Sequence, residues 1–433
     1  MKMSQKLNKT YSNWALPLML LSAVPGQASL ASPASSYDQL YPYYAEFCAV
    51  TQLKPLDGTN GGGTGGHGVL YMKGVCRDTS ASYPRLKLCD EGSIDLSNPE
   101  AGTSISVDQI FQNANWMASD GKSLLITANL SEAQRLDQAT QDGIVQHVQA
   151  LNLFKGIKIH PQYMKDKPKS MSDDEYIVRT TLATEFGLNL GRNVYCSRIP
   201  VERKMLQPMV DYLNSLNDFY QKNDDYEWSG VYNNCTHTTH NAIAAPGLLR
   251  PYATDKNIAK QAFNLAIPGN EYIDLESQGN DVDLNDVVAF YLDPYKRKAL
   301  LEQDWMMTQP GVLTDNHRMH QNNALYDTNS DFFVLSVPGV SPKRADFNRI
   351  NREARYSDIV ENLRYFKAKY ESALSSKLSI DELDEIYQAR ATGSAIQPPR
   401  LRSKEFARFY EAYYKKIESS LSKVQAQLSA LGQ

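Results

Sequence analysis

The pattern of apolar and polar positions divides the chain into a β-rich start, a long helical middle and a helical end. From Tyr37 to Asp90 short runs such as FCAVTQL, VLYMKGVC and RLKLCD are rich in strand formers, and Val69 to Val75 alternates. The glycine-rich stretch GTNGGGTGGHG breaks these runs and places His67 where a loop enters a strand. Residues 106 to 223 read as mostly helical. Ser131 to Leu151 and Ser172 to Leu188 are helical candidates, and Pro200 to Lys222 carries Met205, Met209, Leu213, Leu216 and Tyr220 at helical spacing.

After a polar, turn-like stretch from Asp224 to Asn234, CTHTTHNAIAA runs as a helix until Pro246 and Gly247 stop it. Residues 251–345 are mixed and irregular. From Asp346 the chain is helical again, with Tyr356, Ile359, Val360, Leu363 and Tyr370 on one face and Ser379 with Glu382 as a capping box. Phe406, Phe409, Tyr410, Tyr413, Ile417, Leu421, Val424, Leu428 and Leu431 mark a last helix by their 3–4 spacing. Such a stripe predicts packing, within the chain or between two copies as a homodimer, ahead of peripheral contact with a membrane.

Charge and leader signals change the picture in one respect, the compartment. Lys2, Lys6 and Lys9, the apolar run Trp14 to Val24, and Ala28, Ser29 and Ala31 have the layout of a signal peptide over residues 1–31. That run is too short to span a bilayer, and no cysteine follows the cleavage site to carry a lipid anchor. The expectation is an exported protein, periplasmic or secreted. Without those three lysines, 42 basic residues face 49 acidic ones, a net charge of about −7 that gives no footing for nucleic acid. The 42% hydrophobic content is that of a globular chain with a real core.

Five cysteines are an odd number for an exported chain. Cys48, Cys76, Cys89 and Cys196 can form two disulfides in three connectivities, and a hairpin would bring Cys76 to Cys89, which leaves Cys48 for Cys196 and Cys235 over. An unpaired thiol in an oxidising compartment is a liability unless it is used, although a buried inert thiol is the plain alternative. In the predicted helix Cys235 is the first residue. The partial positive charge and free N–H groups there lower a thiol pKa and can hold an oxyanion.

A metal is the competing chemistry. On one helix His237 and His240 lie about 60° apart but Cys235 points about 160° away from His237. A site would therefore need His317 and His320 from DNHRMH as well. No metal or other cofactor is expected on this reading. The base for a nucleophilic Cys235 must come from elsewhere. His147 and His160 occupy ordinary positions, whereas His67 sits between Gly66 and Gly68, which allow a thiol and a substrate to come close.

The order, histidine on an early strand and cysteine on a later helix, together with Asn234-Cys235-Thr236-His237 and His67-Gly68-Val69-Leu70-Tyr71, resembles the circularly permuted NlpC-like thiol enzymes. These include the lecithin:retinol acyltransferase-like group. The stretch YEWSGVYNNC is similar to the segment before the Asn-Cys motif in the periplasmic domain of a bacterial lipoprotein N-acyltransferase. The resemblance implies an α+β fold with a permuted papain-like core, a small antiparallel sheet plus the nucleophile helix. That core would span residues 32–250 with a helical insertion at about 100–222, followed by the irregular region 251–345 and a helical region 346–433. It implies acyl transfer on an ester or amide, with Cys235 as nucleophile, His67 as base, and Asn234, Thr236 and His237 in positioning or oxyanion roles. Where some members have a second histidine after the first, Asp90 or Glu91 is the residue available here to orient His67. The substrate would be a lipid acyl group, slightly favoured, or a cell-wall peptide. The alternatives are a non-catalytic exported binding protein with long helices and a zinc protein using the histidine pairs.

Overall fold

A computed structural model describes residues 36–58, 65–128, 130–182, 188–254, 266–329, 332–336, 342–390 and 400–433. The expected leader, residues 1–31, and the glycine run 59–64 lie outside the described residues. The fold is mixed α+β, built on a six-stranded antiparallel sheet. Its strands are β1 (Tyr44–Val50), β2 (His67–Lys73), β5 (Gly102–Ser106), β6 (Met117–Asp120), β7 (Val194–Pro200) and β8 (Leu313–His317). Their order across the sheet is β6-β5-β2-β1-β7-β8. A separate two-stranded ribbon pairs β3 (Val75–Arg77) with β4 (Leu86–Leu88).

Among the described residues ten helices have eight or more residues, here α1 to α10 in chain order. They are Gln138–Leu151, Asp173–Thr181, Arg203–Asn223, Cys235–Ala244, Pro268–Asn280, Pro294–Gln303, Lys343–Ile350, Ile359–Ser375, Ile380–Arg390 and Lys404–Ala430. Every residue of β1 and β2 is buried, since elements cover both faces of the sheet. Helices α4 and α5 pack on one face, and α3 packs on α4 and on the ribbon strand β4. The other face carries a buried charge network: Glu46 meets Lys122 and Arg198, and Asp315 meets Arg198 and His317. Lys73 pairs with Asp38 nearby. The rings of Tyr44 and Tyr71 lie 5.2 and 4.9 Å from the Lys122 ammonium.

The expected insertion at 100–222 is a correction. It holds the predicted helices as α1, α2 and α3, but it also contributes β5, β6 and β7 to the main sheet. These strands are four to seven residues long, and a short buried strand has too few positions to separate a period of 2 from 3.6. The irregular region likewise supplies β8, an edge of that sheet, and α5, which packs on β1.

Two disulfides join Cys48 to Cys196 and Cys76 to Cys89, and Cys235 is free and buried. Cys48 and Cys196 are direct partners across β1 and β7, with Cα atoms 4.0 Å apart. These bonds suit an oxidising, extracellular environment. No helix among the described residues is long and apolar enough to cross a membrane. The apolar stripe of α10 is spent inside the molecule: Phe406, Phe409, Tyr413, Ile417, Val424 and Leu428 are buried in a second core with Leu363, Phe366 and Tyr370 of α8. The Ser379–Glu382 capping box is formed, each residue's backbone N–H meeting the other's side chain.

Candidate active site

Cys235 is the first residue of α4, and the sequence before it explains why the helix starts there. Asn234 is extended at the cap, and its Oδ1 accepts the His237 N–H at 3.1 Å. The His237 ring returns Nδ1 to the cap, 3.0 Å from Asn234 Oδ1 or 3.4 Å from the Asn234 N–H according to its tautomer. Asn234 Nδ2 donates to the carbonyls of Gly230 and Ala266, which ties the preceding turn and the approach to α5 to the helix start. The spacing in Asn-Cys-x-His is thus that of a capping box, with a histidine at the third helical position.

The sulfur rests against β2. A side chain at Gly68 would begin 3.5 Å from Cys235 Sγ and 3.4 Å from Phe47. The N–H groups of Gly68, Thr236 and Cys235 itself are directed at the sulfur, and they favour the thiolate. Burial outweighs them and pushes the Cys235 thiol up from its ordinary value. The expectation of a depressed thiol pKa fails here, because a helix terminus inside a core loses more to desolvation than it gains from its dipole.

His67 opens β2, next to Gly68. Its Nε2 lies 2.7 Å from the hydroxyl of Ser106 on β5. The register pairs Val69 with Ser106, so His67, two residues along the same face, can reach that hydroxyl. Burial, and after it the nearby Arg192 guanidinium, pull the imidazole down to about 3, so it is neutral across the physiological range. Arg192 is 1% exposed and donates its Nε–H to the Thr51 carbonyl; burial pulls it down to about 10, and it stays charged. Its charge acts on both Cys235 and His67. His67 shares its face of β2 with Val69 and Tyr71, whereas Gly68, on which Cys235 packs, faces the other way. The thiol and the imidazole therefore stand on opposite sides of the strand, and the sequence-predicted pair is not brought into contact; the charge that reaches both is that of Arg192.

Asp90 and Glu91 are not part of this arrangement. Both are exposed in the turn after β4, and Glu91 lies 3.5 Å from Arg203. The strand before Asp90, Leu86–Leu88, pairs with β3 in the separate ribbon, and β5 takes the place beside β2. Ser106 opens a stretch that reads as helical, so the sequence gives no direct sign that it lies beside His67. The available signal was a pair of buried serines, Ser104 and Ser106, on one face of a short strand.

The histidine pairs do not meet. His240 Nδ1 lies 2.7 Å from Glu271 Oε1 and its Nε2 2.8 Å from the Arg250 carbonyl, with the ring stacked on Tyr252 at 3.7 Å. His317 lies 3.3 Å from Asp315 on β8, and His320 is bound to the Gln134 carbonyl. Among the described residues the one set of three ligating groups in mutual reach is Glu46, Cys48 and Cys196, whose sulfurs form a disulfide. Comparison with known protein families, curated proteins and solved structures finds no match for this chain.

Proposed function

We propose that the protein is an exported cysteine-dependent acyl-transfer enzyme on a permuted papain-like core. The observation that supports this reading is a helix-N-terminal cysteine packed on Gly68, with the N–H groups of Gly68, Thr236 and Cys235 at its sulfur and the Arg192 charge acting on it. The proposed cycle requires the start of β2 to turn His67 toward the sulfur, whereupon the Cys235 thiol gives its proton to the imidazole while the sulfur attacks an ester or amide carbonyl. The tetrahedral oxyanion takes N–H groups at the helix start, and Arg192 stabilises the charge that develops. Collapse breaks the bond to the leaving group, which takes the proton from His67 and leaves a thioester on Cys235. Water or an amine then resolves the thioester.

A lipid acyl group is favoured over a cell-wall peptide by the turn that leads into the nucleophile. Ser229 and Asn233 close it by two backbone hydrogen bonds, and Trp228 and Val231 stand 42% and 52% exposed on it. An apolar surface beside the thiol suits a substrate drawn from a bilayer. The raised thiol pKa favours a second reading, a non-catalytic binding protein with an inert buried cysteine.

A thiol-reactive acyl probe separates the two. Labelling of Cys235 should fall at least tenfold in His67→Ala, and fatty acid release from phospholipid vesicles should vanish in Cys235→Ser. Equal labelling of wild type and His67→Ala would rule out the pairing, and Cys235-dependent release from peptidoglycan alone would overturn the lipid assignment.

A further inference from the structure

A cavity of about 730 Å³ opens between α1, the end of β6 and the turn Ser123–Thr127, within the range of roughly 300–1,000 Å³ seen for small-molecule sites. None of Cys235, His67 and Ser106 lines it. Among the described residues its apolar wall is aliphatic, with Leu124, Leu130, Ile144, Leu151, Leu153 and Leu190 and no Phe, Tyr or Trp. Such a wall suits a flexible alkyl chain and offers a planar ring nothing to stack on. Among the polar residues on the lining are Arg77, bonded through two nitrogens to the exposed carboxylate of Asp120, and exposed His147.

The backbone around the cavity carries two independent marks. Ser123–Thr127 is a π-helical turn, a rare form found often at functional sites. It ends at Ala128 with φ 58° and ψ 161°, a region held almost only by glycine, so the surrounding fold maintains strain in the wall. Opposite, Gly143 lines the cavity from within α1, and the space beside it is open, so a larger side chain there would enter the cavity. We propose that this cavity binds a single aliphatic chain, either a free fatty acid or the chain of a lipid, with its polar head toward Arg77 and His147, at a site separate from Cys235.

The test uses full-length protein and displacement of the fluorescent fatty acid cis-parinaric acid. Saturable binding of one per chain is expected, weakened at least tenfold in Ile144→Trp and in Gly143→Leu and unchanged in Cys235→Ala. Circular dichroism identifies folded variants, and having two of them keeps the test open if one misfolds. Competition by monomeric laurate points to a free fatty acid, and groove-dependent association with phosphatidylcholine vesicles without laurate competition points to a lipid chain. No binding, or binding indifferent to both groove variants, overturns the proposal. Loss of binding in Cys235→Ala would assign the ligand to the thiol and overturn it as well, whereas failure of catalysis alone leaves this site standing.

Discussion

Protonation at Cys235 and His67 sets what each can do. With the thiol pushed up and the imidazole pulled down, the resting pair is neutral, not an ion pair. Alkylation by iodoacetamide should therefore be slow at pH 7 and accelerate only above the ordinary thiol range, because the thiolate fraction rises later with pH. Fast alkylation at pH 6 would contradict the buried environment described for the sulfur. Ser106 holds the imidazole and is placed as a positioning residue: Ser106→Ala should lower kcat with KM little changed, and Ser106→Thr should restore part of it. An orienting partner contributes less than the base itself, whose removal costs roughly 10²–10⁴-fold. A loss in Ser106→Ala confined to KM would contradict the positioning role. Cys235 and His67 stand out in the sequence by local settings, an odd thiol and a histidine between glycines, but the face of the sheet that each side chain takes is not carried by those settings. Ser106 does not stand out, because its role comes from strand pairing across 39 residues.

The start of α4 shows how one motif can serve both helix and site. Asn234 and His237 share a capping box, and Cys235 occupies the first helical position between them. Asn234→Ala should cost about 1 to 2 kcal/mol in chemical denaturation, at the upper end because its amide also ties down the carbonyls of Gly230 and Ala266. Asn234→Asp keeps the acceptor but loses both donations, so it should recover only part of that loss. Equal stability of the Ala variant and wild type would remove the cap from the account. Helices α3, α8 and α10 were legible from their 3.6-residue period, which persists over many turns. What covers the stripe of α10 was not legible, because a stripe shows that a face is buried and carries no information about its partner. Here the partner is α8 within the same chain, with Leu421 and Leu431 partly buried against the same core.

At the scale of the whole molecule, two buried groups tilt stability in opposite directions with pH. His67 falls to about 3 in the fold from an ordinary value of 6.5, so between these values the unfolded chain binds a proton that the folded chain refuses. Stability from this group is complete above pH 6.5 and is lost as pH falls toward 3, by up to roughly 5 kcal/mol. Glu276 on α5 is fully buried, and desolvation above all pushes it up to about 8 from 4.5. Its carboxyl is protonated in the fold, so its contribution is complete below pH 4.5 and is lost as pH rises toward 8, by a similar amount. The two slopes oppose one another between pH 4.5 and 6.5. Glu276→Gln keeps a neutral side chain of the same shape and removes only the second slope. Thermal unfolding across pH 4 to 9 should show the variant gaining on wild type steadily from pH 5 to 8, with little difference at pH 4. Parallel curves over that range would mean that Glu276 is ionised in the fold and that its burial is relieved by partners other than a proton.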